Sequence, residues 1–222
     1  LLIEKGIDIK VIDNNGYDAF LYAVEINLND VTKLLIEKGT DIKRKNKEGQ
    51  NALIICSKVG NYEIAKLLIE KGLKVNTVDN KGITPLVEAV SAGKIEIVKL
   101  LIEKGAELNM YNGAYNTPLM YATGYNFKEI VQLLIDNGAE IEKGSSYMLK
   151  AYNPVLAACT RNAKDALEVL IKNGASLDVK SKDGITPLIF AAANNAVDVM
   201  KYLLAVNPKL DIDASSNSTY NA

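Results

Sequence analysis

Apolar and polar residues follow one another along the chain in a pattern that repeats at nearly constant intervals. The clearest copy of its apolar part is Leu100-Leu101-Ile102-Glu103-Lys104-Gly105, and the same six residues recur at 1–6, 34–39 and 67–72. Weaker copies lie at 133–138 and 169–174. The glycines that end the copies lie at 6, 39, 72, 105, 138 and 174, so the intervals are 33, 33, 33, 33 and 36 residues. Such an interval indicates one small structural unit repeated along the chain.

Each copy predicts two short helices. The second has one wide apolar face, formed for example by Ile97, Val98, Leu100 and Leu101, and ends at the repeated glycine. The first begins at Thr, Asp or Asn, whose side-chain oxygen can accept from free N–H groups at a helix start. Nine residues later stands Gly or Asn, which adopts the left-handed conformation cheaply and so ends the helix. The starts are Asp18, Asn51, Thr84, Thr117, Asn153 and Thr186, and the ends are Asn27, Gly60, Gly93, Asn126, Asn162 and Asn195.

The segment between each repeated glycine and the next helix start is called a finger here. Fingers contain polar triplets that end in glycine, with Gly82 and Gly184 as the clearest cases, and these predict tight turns with positive φ. Tyr115 and Ala151 replace this glycine in two fingers, so we expect the turn chemistry to be lost there. The finger that contains 144–147 carries three extra residues, which explains the longer interval.

Together these features resemble the ankyrin repeat. The Gly-x-Thr-Pro-Leu starts at 82–86 and 184–188, the run at 96–106 and the 33-residue period carry the resemblance. It implies an all-α fold, an ankyrin-repeat solenoid of stacked antiparallel helix pairs with β-turn or hairpin fingers. Family members usually carry His after Thr-Pro-Leu, whereas this chain has no His and places apolar residues there. We therefore expect apolar packing where His would form hydrogen bonds between repeats.

The period predicts one continuous array. We expect a partial repeat at 1–12, repeats at 13–45, 46–78, 79–111, 112–147, 148–180 and 181–213, and the start of a further repeat or a tail at 214–222. No polar-faced capping repeat is evident at either end, so we expect the 222 residues to belong to a longer array. We also expect a monomer, apart from end-to-end contacts of apolar residues such as Leu1, Leu2 and Ile3.

Charge and composition narrow the range of functions. The 26 basic and 27 acidic residues nearly cancel, which does not favour nucleic-acid binding, and no apolar run approaches the roughly 18 residues of a membrane span. Without His, and with Cys56 and Cys159 placed as small core residues, we expect no enzymatic activity, no cofactor and no bound metal. Two distant cysteines favour a reducing compartment, so we expect the cytoplasm, and a secreted effector remains an alternative.

The resemblance implies a protein-protein interaction scaffold that binds a partner through the finger tips and the concave face of the first helices. Alternatively, these residues are the targeting or regulatory part of a larger enzyme, or of a host-directed effector, whose active domain lies outside them.

Two groups of residues are candidates for the binding surface. The first combines tyrosines in fingers and at a helix end with nearby basic residues, since Tyr and Arg are enriched in interface hot spots. Its alternative role is to stiffen the long finger. The second is the basic finger 43–47. Tyr22, Tyr121 and Tyr202, in contrast, are expected in the core. The candidates are Tyr111, Tyr115, Tyr125, Tyr147, Lys150, Tyr152 and Arg161 in the first group, and Lys45 and Lys47 in the second.

Overall fold

The computed structural model describes residues 9–114, 116–144, 152–181 and 183–207. The regular elements in these ranges are short α-helices in consecutive pairs, and an isolated antiparallel bridge joins Lys45 to Asn51. The expected all-α fold is confirmed. The first helices of the pairs are α1 (Ala19–Glu25), α3 (Ala52–Val59), α5 (Pro85–Ser91), α7 (Pro118–Gly124), α9 (Pro154–Arg161) and α11 (Pro187–Ala193). The second helices are α2 (Asn29–Glu37), α4 (Tyr62–Glu70), α6 (Ile95–Glu103), α8 (Lys128–Asp136), α10 (Lys164–Lys172) and α12 (Val197–Val206).

All six predicted helix starts are N-caps. In each, the side-chain oxygen accepts a hydrogen bond from the backbone N–H three residues further on, as Thr84 does from Val87 at 3.1 Å. The first helical residue is proline in four of the six, where its missing N–H costs nothing. These helices begin where local sequence alone dictates.

The predicted helix ends are also confirmed. Asn27, Asn126, Asn162 and Asn195 have φ between 52° and 62°, and Gly60 and Gly93 have φ of 88° and 66°. The turn glycines Gly82 and Gly184 likewise have positive φ, of 70° and 77°. Left-handed backbone therefore separates the two helices of each pair and shapes the fingers.

The described residues form two compact units, with the division between residues 107 and 108. In the described part of the first unit, α1, α3 and α5 pack side by side in one layer, and α2, α4 and α6 form a second layer. The second unit has the same plan, with α7, α9 and α11 in one layer and α8, α10 and α12 in the other. The repeat boundaries and the single continuous array remain predictions.

The core of each unit lies between its two helix layers. The six positions at which ankyrin repeats usually carry His hold apolar side chains here, and all six are at most 3% exposed. The expected apolar packing is therefore present at these sites. They are Leu21, Ile54, Val87, Met120, Leu156 and Ile189.

Side-chain acceptors shape the fingers. The Asp79 carboxylate accepts from the N–H groups of Lys81 and Ile83, both at 2.8 Å. Asn112 forms the same pair of bonds, to Ala114 at 3.0 Å and to Asn116 at 2.9 Å. The expectation that turn chemistry is lost in this finger is therefore wrong for its described residues, because the Asn side chain supplies the acceptor whether or not glycine follows. Residues 115 and 151 themselves lie outside the described ranges.

Candidate protein-binding site

Three of the predicted site residues come together in the second unit. Tyr125 caps the C-terminus of α7, Arg161 is the last residue of α9, and Tyr152 lies directly before the N-cap of α9. With Tyr121 and Gly124 they line an open cavity of about 70 Å³, which we call the tyrosine cavity. Asn116 and Met120 complete the lining.

Tyr125 is the most exposed ring of the tyrosine cavity, at 43%. The guanidinium carbon of Arg161 lies 5.5 Å from its ring centre, within the range of a cation–π contact. The ring centres of Tyr121 and Phe127 lie 6.4 Å and 5.8 Å from the ring centre of Tyr125. Tyr125 is thus held by three side chains while almost half of its surface remains available to a partner.

Tyr152 is more deeply placed than Tyr125. Burial raises the pKa of its phenol, while the nearby Thr160 hydroxyl and the positive charge of Arg161 oppose that rise. The phenol therefore stays protonated at neutral pH and keeps its donor. Tyr152 therefore helps to form the wall of the cavity and also supplies a hydrogen-bond donor.

Tyr111 belongs to a different contact. Its hydroxyl donates to the backbone oxygen of Gly144 at 2.7 Å, and the Lys143 ammonium lies 5.5 Å from its ring centre. It does not line the tyrosine cavity. Tyr111 instead fastens the start of the long finger, which is the structural role considered as the alternative for this cluster. Tyr115, Tyr147 and Lys150 lie outside the described residues.

Part of the basic finger is engaged within the first unit. Arg44 Nε lies 2.9 Å from Oδ2 of Asp18, whose side chain is only 1% exposed. The N–H is not aimed at that oxygen, so the contact is an ion pair without an aligned hydrogen bond. Lys45 Nζ donates to the backbone oxygen of Val78 at 2.8 Å. Lys47 lines a second depression, described next.

The sequence did not reveal a polar groove in the first unit. It measures about 430 Å³ and is lined by Tyr17, Tyr22, Glu25, Glu48, Lys47 and Lys58, with Asn15, Asn46 and Gln50. The Tyr17 and Tyr22 ring centres are 4.9 Å apart. Their hydroxyls donate to Glu25 at 3.2 Å and to Asp13 at 2.7 Å. We call this surface the polar groove.

Tyr22 corrects one expectation, since it is 42% exposed instead of buried in the core. It lies four residues after its N-cap, on the side of α1 that faces the polar groove. Tyr121 occupies the equivalent position of α7, and like Tyr202 it is partly exposed. Tyr17 and Tyr152 are also equivalent, each directly preceding an N-cap. An alignment of repeats on their N-caps would have found Tyr17.

The described residues include no group of three or more His, Cys, Asp or Glu side chains able to hold a metal ion. Cys56 and Cys159 are both fully buried, as expected from the sequence. Burial raises the pKa of both thiols, that of Cys159 to about 12, so neither is a ready nucleophile. None of the helices in the described ranges is both long and apolar enough to cross a lipid bilayer.

Capped helix pairs, finger turns and two-layer packing define a helical repeat protein. The family model described as Ankyrin repeats (3 copies) matches residues 1–79 and 74–145, and the model described as Ankyrin repeats (many copies) matches residues 155–204. The chain therefore belongs to the ankyrin repeat family. Ankyrin repeats are generally protein-protein interaction modules and are typically non-enzymatic. A comparison with curated proteins finds no match.

Proposed function

We propose that this chain binds a protein partner through the tyrosine cavity and catalyses no reaction itself. The observation that carries the proposal is the arrangement of Tyr125 and Arg161, an exposed ring and a cation held against one another beside two further tyrosines. Interface hot spots are enriched in these residue types, and side chains that are already ordered lose little entropy on binding.

The size of the tyrosine cavity supports a protein partner over a small molecule. Small-molecule pockets measure roughly 300 to 1,000 Å³. At about 70 Å³, the tyrosine cavity suits the end of one side chain presented by a larger partner. The surrounding exposed surface would then supply the rest of the interface.

The basic finger is the weaker candidate. Arg44 and Lys45 already contact Asp18 and Val78, so a partner would compete with these contacts. Lys47 remains a candidate through its place in the polar groove. The targeting or regulatory role within a larger enzyme or effector, and the cytoplasmic location, stay predictions that are compatible with this proposal.

A matched pair of tyrosines tests the proposal. Tyr125 and Tyr62 are almost equally exposed, at 43% and 42%, but Tyr62 begins the second helix α4 and lies outside the cavity. With a partner captured by the whole chain, we expect Tyr125→Ala to weaken binding by about 1 to 3 kcal/mol. Tyr62→Ala should leave the affinity unchanged.

Calorimetric titration gives the affinities, and thermal unfolding of both variants gives the control. Since Tyr125 is 43% exposed, its removal should change the melting temperature little. Unchanged affinity together with a lowered melting temperature for Tyr125→Ala would contradict the proposal and make the cluster structural.

A further inference from the structure

The chain uses arginine sparingly. Of its 26 basic residues only Arg44 and Arg161 are arginines, and the others are lysines. Arg44 is placed against a buried carboxylate, that of Asp18. The planar guanidinium fork matches a carboxylate better than an ammonium does and loses less on desolvation. Arg161 is the other residue with this capacity, and it lies in the tyrosine cavity.

Within the described part of the chain, the Arg161 guanidinium faces a ring but no carboxylate. It contacts the Tyr125 ring, and none of the six ion pairs among the described residues includes it. Asp and Glu are absent from the described lining of the tyrosine cavity. The polar groove differs, because Glu25 and Glu48 line it together with Lys47 and Lys58. The tyrosine cavity thus carries a positive charge that the described part of its lining does not neutralise.

The hydrogen-bonding groups around Arg161 point to an acceptor. The Tyr121 hydroxyl accepts from the Asn112 amide at 2.7 Å, which leaves its own hydrogen able to donate. The fork of Arg161 offers only donors. Gly124 contributes no side chain, and a Cβ built there would lie 3.8 Å from Cγ of Arg161, so the space beside the arginine stays open. An ionised carboxylate accepts only, and therefore complements this set.

We infer that the tyrosine cavity binds an aspartate or glutamate side chain of the partner polypeptide, with Arg161 as its counter-charge. This inference rests on the proposed function and names the chemistry of the same site. A phosphorylated side chain fits less well, since phosphate recognition generally uses clusters of arginines, whereas Arg161 is the only cation in the described lining. The volume of about 70 Å³ agrees with a single carboxylate-bearing end.

The test uses peptides as the probe. A random library of dodecapeptides is selected against the whole chain, against Arg161→Glu and against Lys201→Glu. Lys201 lies exposed on the second helix α12, away from the cavity lining, so its variant carries the same change of charge as a control. We expect the wild type and Lys201→Glu to select peptides with an acidic residue at one fixed position. Arg161→Glu should lose that preference.

A selected peptide then allows a charge exchange. Replacing its acidic residue by Gln should weaken binding to the wild type by about tenfold to a hundredfold, as expected for a hydrogen bond to a charged group. Arg161→Glu should weaken the original peptide similarly and regain binding when the acidic residue is replaced by Lys. Circular dichroism of each variant confirms that it is folded.

The outcomes separate the two proposals. Peptides that depend on Tyr125 but show no acidic preference, and bind Arg161→Glu as well as the wild type, overturn the carboxylate inference and leave the proposed function standing. Peptides whose binding survives both Tyr125→Ala and Arg161→Glu overturn both, as does a library that yields no binder to the wild type.

Discussion

Arg44 links the basic finger to the first helix pair through one buried acid. Asp18 is 2% exposed, caps α1 by accepting from the Leu21 N–H at 2.9 Å, and lies 2.9 Å from Arg44 Nε. A buried carboxylate needs a nearby positive charge or hydrogen-bond donors, because removing a charge from water is costly. One of the basic residues of the finger, Arg44, therefore stabilises the fold, and its charge is already paired within the chain.

Removing this charge should cost stability. We expect Arg44→Ala to lower the free energy of unfolding by about 2 kcal/mol, less than for a fully buried pair because the Arg44 side chain is 26% exposed. Lys43→Ala, in the same finger and exposed, is the matched control and should cost less than about 0.5 kcal/mol. Urea unfolding of both variants measures the difference. Equal midpoints would show that Asp18 does not depend on Arg44.

Asn126 and Asn162 end a helix of their own repeat and also form hydrogen bonds to the next repeat. Both have left-handed backbone after a first helix. The side-chain oxygen Oδ1 of Asn126 accepts from the Ala166 N–H at 2.9 Å. Oδ1 of Asn162 accepts from the N–H groups of Asp198 at 3.0 Å and Val199 at 3.1 Å. The helices thus reached, α10 and α12, have alanine at the N-cap and no side-chain cap of their own. Each asparagine therefore caps the second helix of the next repeat.

Glycine at position 162 isolates this capping role, because it tolerates left-handed backbone without supplying an acceptor. We expect Asn162→Gly to cost about 1 kcal/mol and to speed hydrogen exchange at the Asp198 and Val199 amides. Asn162→Ala should cost about 1 kcal/mol more, since alanine also resists φ of 52°.

Asn195 provides the control for this experiment. It has the same left-handed backbone, with φ of 54°, and its side chain forms no hydrogen bond among the described residues. Asn195→Gly should therefore be nearly neutral in urea unfolding. If Asn162→Gly is equally neutral, the bonds to α12 contribute nothing measurable.

Whether a contact can be predicted from the sequence depends on how far apart its two residues lie along the chain. N-caps such as Thr84 act on residues three positions away, so their pattern alone locates the helices. The bond from Asn162 to Asp198 spans 36 residues, and the contact of Arg44 joins a finger to the start of α1 at Asp18. Neither has a local signature. Tyr125, Tyr152 and Arg161 can be grouped from the sequence because they lie within or on either side of the long finger. Tyr22 is expected in the core because other repeats place apolar residues at its position, and this pattern does not show which side of a two-turn helix faces a groove.

Each compact unit contains one buried cysteine, Cys56 in the first and Cys159 in the second. Burial raises the pKa of both thiols, so each should react with a thiol reagent only when its surroundings open. Single-cysteine variants, Cys159→Ala and Cys56→Ala, would therefore report the opening of each unit separately. The two thiols offer a test of whether the division into units has an energetic meaning.

Stability in repeat proteins is approximately a sum of terms from each repeat and its immediate neighbours. Arg44→Ala should therefore speed labelling of Cys56 by roughly 20-fold or more, in line with a loss of about 2 kcal/mol, and affect Cys159 much less. Asn162→Gly should act on the other unit, speeding labelling of Cys159 by about fivefold while that of Cys56 changes little. These values apply when the reagent reacts more slowly than the opened region closes again. A labelling rate proportional to reagent concentration establishes this condition. If each substitution speeds both thiols equally, the chain opens in one cooperative step, and the two units are distinct in packing but not in stability.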